Sequence, residues 1–178
     1  MAGLPAQQTS ETISAARRPD SCRRFVAYVA EQAERAAGER RGARWLALTL
    51  AHQCANVDFH LLRRPLHFWR ALRQEPPVCF GPRGFRGSLA DDFHPARHYS
   101  AFLMIGYFLP YALAAAFAWL WEAAEGIFLG GYSRCDVALS RIAVRHGNIL
   151  RRQGPAALAP LILRDLCEPE QAGAQSSG

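Results

Sequence analysis

Five side chains in the middle of the chain are of types that hold metals or move protons: His94, His98, Glu122, Glu125 and Asp136. Imidazole and carboxylate together suit zinc coordination or acid and base work, provided that they converge. On one continuous helix, His98 and Glu122 would lie about 36 Å apart at ~1.5 Å per residue, too far to share a metal. His94 and His98 are four apart, but Pro95 puts His94 at a helix cap, which leaves their common face open. His52 and His60 lie on one helix side with Thr49 and Asn56. No carboxylate or cysteine completes a ligand set at i+4, so this is the pattern of a solvated face. The sequence has no glycine-rich phosphate loop, nucleophile elbow or paired-cysteine metal motif. These residues predict a binding protein rather than an enzyme, with no metal and no cofactor.

The element that must position them is the uncharged run from Tyr99 to Trp121. More than ~18 such residues can span a membrane. A helix apolar all round can equally be the buried centre of a bundle. Tyr99, Trp119 and Trp121 suit interfacial anchoring, and Gly106 and Pro110 are tolerated within bilayers. These features define one alternative, a single-span membrane protein using 99–121. Arginine is nearly balanced around the run, with Arg83, Arg86 and Arg97 before it and Arg134 and Arg141 after, so no orientation is specified. The Ala and Gly content suits close helix packing. The resulting expectation is an all-α fold with a hydrophobic central helix over about 95–121, wrapped by amphipathic helices.

A chain of 178 residues with 50% hydrophobic and 20% charged content has room for one domain with a real core and is not disordered throughout. The division expected is a flexible tail over 1–18, a helical domain over 19–166 and a second tail over 167–178. All 21 basic residues are Arg, giving a net charge of +6. A GC-rich genome accounts for that, and selection for phosphate or carboxylate forks is the sharper alternative. Five scattered cysteines without a close pair, and an N-terminus without an apolar signal core, predict free thiols, a reducing compartment and no secretion.

Apolar spacing predicts a helix from Asp20 or Ser21, carrying Phe25, Val26, Val29, Ala33 and Ala36, to Gly38. A second runs from about Ala43 to Leu62. A third, over Leu66–Gln74 behind Pro65, mixes Phe68, Trp69 and Leu72 with Arg63, Arg64, Arg70 and Arg73. This composition fits a protein groove or a peripheral membrane contact through 61–74. Residues 75–90 read as a mobile loop, and their two Phe-Arg pairs are too few to form a nucleic-acid stacking platform, so no nucleic acid is expected. Ser133 and Asp136 form a capping box for a helix to about His146, which Gly147 and Asn148 end. Residues 154–166 contribute at most a short apolar segment, interrupted by Pro160.

Several motifs together resemble the Bcl-2 family, in which an Asn-Trp-Gly-Arg turn starts the buried helix and a Gly-Gly-Trp turn comes later. They are Asp92-Phe93-His94-Pro95-Ala96-Arg97, Ala101-Phe102-Leu103, Gly130-Gly131-Tyr132, and Val144-Arg145-His146-Gly147-Asn148-Ile149-Leu150. The similarity is greatest to the viral Bcl-2-like adenovirus early-region small T-antigen family. With Arg23-Arg24-Phe25 and Phe68-Trp69-Arg70 it extends over most of Ser21 to Leu150. The resemblance implies a Bcl-2-like bundle and a viral early protein that inhibits apoptosis by binding amphipathic helices of proapoptotic Bax/Bak-type proteins. It also implies a cytoplasmic location in the host cell, associated with intracellular or nuclear-envelope membranes. The implied groove contains Phe68, Leu72, Phe93, Ala96, Arg97 and Phe102. Arg97 would pair with an acidic residue of the partner, and the Ala96 methyl, where the family has glycine, would obstruct the partner's backbone.

Overall fold

The computed structural model describes residues 20–58, 74–90, 94–129 and 133–169. Among them are six α-helices, a 3-10 turn and no strand: α1 (Ser21–Ala37), α2 (Gly42–Ala55), α3 (Pro95–Phe108), α4 (Tyr111–Leu129), α5 (Arg134–Gln153), the turn Pro155–Ala157, and α6 (Leu158–Leu166). The all-α expectation holds.

The Asp20 carboxylate accepts the Arg23 amide at 2.8 Å to start α1, and Gly38 closes it. Its inner face carries Cys22, Phe25, Val29, Ala33 and Ala36, three or four apart and all buried. α2 stops at Ala55, short of the expected Leu62, because Asn56 turns left-handed at φ 56° and its amide bonds back to the last turn. Asn56 is thus a cap rather than part of a polar stripe. His60, like residues 66–73 of the expected third helix, lies outside the described residues.

The expected single helix over 95–121 is divided. Leu109 is extended at ψ 151°, because the ring of Pro110 disfavours helical backbone in the residue before it. α3 then α4 replace one long rod. α3 is the more buried half: it packs against α2 and α5, and Phe25 of α1 sets its ring 5.8 Å from that of Tyr99. The Arg44 guanidinium at the start of α2 lies 5.8 Å over the Phe108 ring at the end of α3, and Cys54 near the end of α2 lies beside Ser100 near the start of α3, so the two are antiparallel. α5 runs parallel to α3: His98 meets Ser140 and Gly106 meets Val144. α4 must therefore run back along the bundle to reach Arg134.

Ser133 caps α5 by accepting the Asp136 amide at 3.1 Å, as the sequence predicts. The helix nevertheless passes through Gly147 and Asn148 to Gln153. Here glycine serves contact rather than termination. A methyl group on Gly147 would run into the Leu103 carbonyl, and one on Gly106 into that of Val144, so the paired absence of side chains lets two backbones touch. Asn148 donates its amide to the Gly106 carbonyl at 2.7 Å, which fastens the crossing. Pro160 sits in the first turn of α6, where its missing N–H costs nothing, and α6 packs on α1.

Three further expectations are corrected. Cys22 and Cys167 form a disulfide between residues 145 apart, while Cys54, Cys79 and Cys135 form none. Spacing in sequence could not reveal a pair that only the fold brings together. Cys167, expected at the start of a flexible tail, is buried. The described part of 75–90 is no mobile loop either: Phe80, Phe85 and Leu89 are buried, the first two rings 5.2 and 6.3 Å from that of Phe25. The strap is pinned where the Arg86 amide bonds the Leu166 carbonyl at 2.8 Å and the Glu168 amide bonds that of Gly84 at 2.9 Å.

Candidate partner-binding site

The turn Pro95-Ala96-Arg97 opens α3, with Pro95 in its first turn. The Ala96 methyl faces inward and is 1% exposed. It packs in the core instead of standing in a partner's path. Phe102, also in the core cluster, sets its ring 4.8 Å from that of His98. Arg97 is half-buried. Among the described residues its guanidinium makes no ion pair, and its positive charge acts on the nearby Cys79 thiol. Of the six groove residues expected, only Arg97 offers a polar group at this mouth within the described chain. Phe68, Leu72 and Phe93 lie outside the described residues, as do Gly130, Gly131 and Tyr132.

The Val144–Leu150 run lies against α3. Val144, His146, Gly147, Asn148 and Leu150 are all buried, and His146 is the centre of a polar chain through three helices. Its Nδ1 stands 2.9 Å from the Tyr99 hydroxyl of α3, and its Nε2 stands 3.0 Å from the Asp165 carboxylate of α6. A carboxylate only accepts, so Nε2 donates to Asp165, Nδ1 keeps its lone pair, and the Tyr99 hydroxyl donates to it. That tautomer is neutral, in keeping with burial, which lowers the affinity of His146 for a proton against the opposing pull of Asp165. Hydrogen bonding from Arg164, and secondarily from His146, holds Asp165 well below the usual carboxylate range. Arg145 also reaches it at 3.0 Å. Burial pushes the Tyr99 hydroxyl well above its ordinary value. Tyr99 and His146 are wholly enclosed, so no substrate meets them: the chain joins helices.

The imidazoles and carboxylates of types suited to chemistry are spread over several elements. His98 bonds Ser140 at 2.6 Å and bridges α3 to α5. The separation of about 36 Å between His98 and Glu122 presumed one helix, and the break at Pro110 removes that premise. Among the described residues no group of three or more His, Cys, Asp or Glu side chains is placed to hold a metal. Burial pushes the Cys54 thiol up to about 12, leaving it protonated and inert. The buried Phe80 and Phe85 cannot stack on bases.

The feature that sequence reading missed is the outer side of α4. Tyr111, Leu113, Phe117, Trp119 and Leu120 are 42–64% exposed, and only Ala114 and Ala118 bury fully within 111–121. The signal was present in the position of Pro110, halfway through a run that one core could not enclose at both ends. No helix among the described residues is long and apolar enough to cross a membrane. No family model, curated protein or solved structure matches the chain.

Proposed function

We propose that this chain is a Bcl-2-like apoptosis inhibitor that binds amphipathic helices of proapoptotic Bax/Bak-type proteins at the mouth of α3. One observation carries the reading: of the runs behind the resemblance, Pro95-Ala96-Arg97 opens the buried helix α3, and Val144–Leu150 packs along the later part of that same helix at Leu103 and Gly106. Arg97 is left half-buried at that mouth, without an acidic partner among the described residues. A partner helix inserts apolar anchors at i, i+3, i+4 and i+7 and presents one acidic side chain to the guanidinium. Arginine makes a forked pair there that lysine cannot reproduce. Because the Ala96 methyl points into the core, its removal opens no approach for the partner.

The test is a titration of a fluorescent Bax- or Bak-type amphipathic helix into wild type and Arg97→Ala. Saturable binding that weakens at least tenfold in the variant, about 1.4 kcal/mol, is the expected result. Absence of binding to wild type would overturn the function. Equal binding to both would move the site away from Arg97.

A further inference from the structure

We propose that the outer face of α4 is a self-association surface on which a second copy of this chain docks by a two-fold pairing of α4 with α4. On the solvent side of the first three turns lie Leu113, Phe117, Trp119 and Leu120 with the small Ala112 and Ala116 between them, all exposed. No polar side chain interrupts this stripe before Glu122, apart from the hydroxyl of Tyr111 at its edge. Phe108 and Leu109 extend it around the Pro110 corner.

Size is the first argument. Taking ~200 Å² for each fully exposed large side chain, the exposed fractions give an apolar surface on the order of 700 Å². That exceeds the roughly 300–600 Å² of the largest patch on an ordinary monomer and approaches the roughly 800 Å² that each partner contributes to a stable interface. The second argument is charge. Helices that lie on lipid carry Lys or Arg on their flanks, but α4 itself contains no Lys or Arg, its charges being Glu122 and Glu125, and the Arg44 guanidinium at the edge of the patch is turned onto the Phe108 ring. An anionic bilayer is therefore a poor fit.

The third argument is shape. The face is a convex helix ridge rather than a groove, and along α4 before Glu122 it presents no charge with which to select a foreign partner. Against its own copy, the Leu113 and Leu120 ridge of one helix fits the hollow left by Ala112 and Ala116 of the other. A two-fold axis makes every such contact twice. The stripe shares no residue with Pro95-Ala96-Arg97, on which the proposed partner site rests.

The experiment is sedimentation equilibrium on the full chain across a hundredfold concentration range, with the double variant Leu113→Glu/Leu120→Glu beside it. Wild type should sediment as a monomer–dimer equilibrium, and the variant as a monomer with unchanged helical circular dichroism and a dissociation constant raised at least a hundredfold. Ala116→Cys gives a second readout at a site that cannot disturb the core: under mild oxidation it should form a dimer linked through residue 116 that wild type does not form. Leu163→Glu, which alters an exposed leucine on α6, should leave the dimer intact. A monomer at all concentrations would overturn the proposal, whether or not it co-floats with 3:1 phosphatidylcholine/phosphatidylserine vesicles. So would a dimer indifferent to the double variant, or one disrupted by Leu163→Glu.

Discussion

α3 and α4 come from one uncharged run, yet the first is enclosed and the second stands half in water. Apolar content does not distinguish them. α3 has what a neighbour can grip: Gly106 for close approach, Tyr99 and His98 for hydrogen bonds across to α5, and Leu103 filling space between them. α4 has alanines that lie flat on α5 and large side chains that find no cavity. Hydrophobicity thus determines that a segment resists water, while small residues and polar hooks determine which segment the fold encloses.

The contrast breaks most severely at the helix crossing. Gly147→Leu forces a side chain into the α3 backbone, which cannot yield as a flexible side chain would. Chemical denaturation should register a loss of more than ~4 kcal/mol. Next comes a matched pair of leucines. Leu103→Ala in α3 should cost about 3 kcal/mol for its lost contacts and cavity, whereas Leu113→Ala in α4 should stay within ~0.5 kcal/mol when measured at dilution. Similar losses from both would erase the distinction.

Reduction of the Cys22–Cys167 disulfide comes third. It releases the clasp that holds α6 and the 74–90 strap over α1, and should lower stability by about 2–3 kcal/mol, seen as a drop in melting temperature with reductant that Cys167→Ser reproduces. The smallest effect is that of pH. His146 binds its proton more weakly when folded than the ordinary 6.5, so the unfolded chain takes up more protons as pH falls. The contribution of the neutral ring is complete above about pH 6.5 and is lost as pH falls through the lower folded value. His146→Gln should flatten that part of the wild-type stability profile, and an unchanged slope would remove His146 as its source.

Much of this was legible in the sequence where a local signal agreed with the tertiary demand. Asp20, Gly38, Pro95 and Ser133 mark helix ends that the structure keeps. Gly147 and Asn148 read as a stop because glycine and asparagine usually supply one; only the approach of Gly106, 41 positions away, turns them into a crossing. The same distance problem hid the disulfide, the burial of Phe80 and Phe85, and the Tyr99–His146–Asp165 chain, whose members lie on three helices. Pro110 marks in the sequence what a single-helix expectation overlooks: a proline in an otherwise helical run separates two elements that need not share a fate. At the proposed site, the turn Pro95-Ala96-Arg97 was legible as the opening of a helix, whereas the burial of Ala96 and Phe102 depended on how α3 rotates against α5.

The proposed function places partner capture at the mouth of α3 and not on the exposed apolar face of α4. It is tested most directly by the affinity of the Bax- or Bak-type helix for Leu113→Glu/Leu120→Glu compared with Arg97→Ala. The α4 double variant should bind within twofold of wild type while Arg97→Ala loses at least tenfold. Wild-type affinity in Arg97→Ala together with abolished binding in the α4 variant would contradict it, and would make α4 the surface that meets the partner.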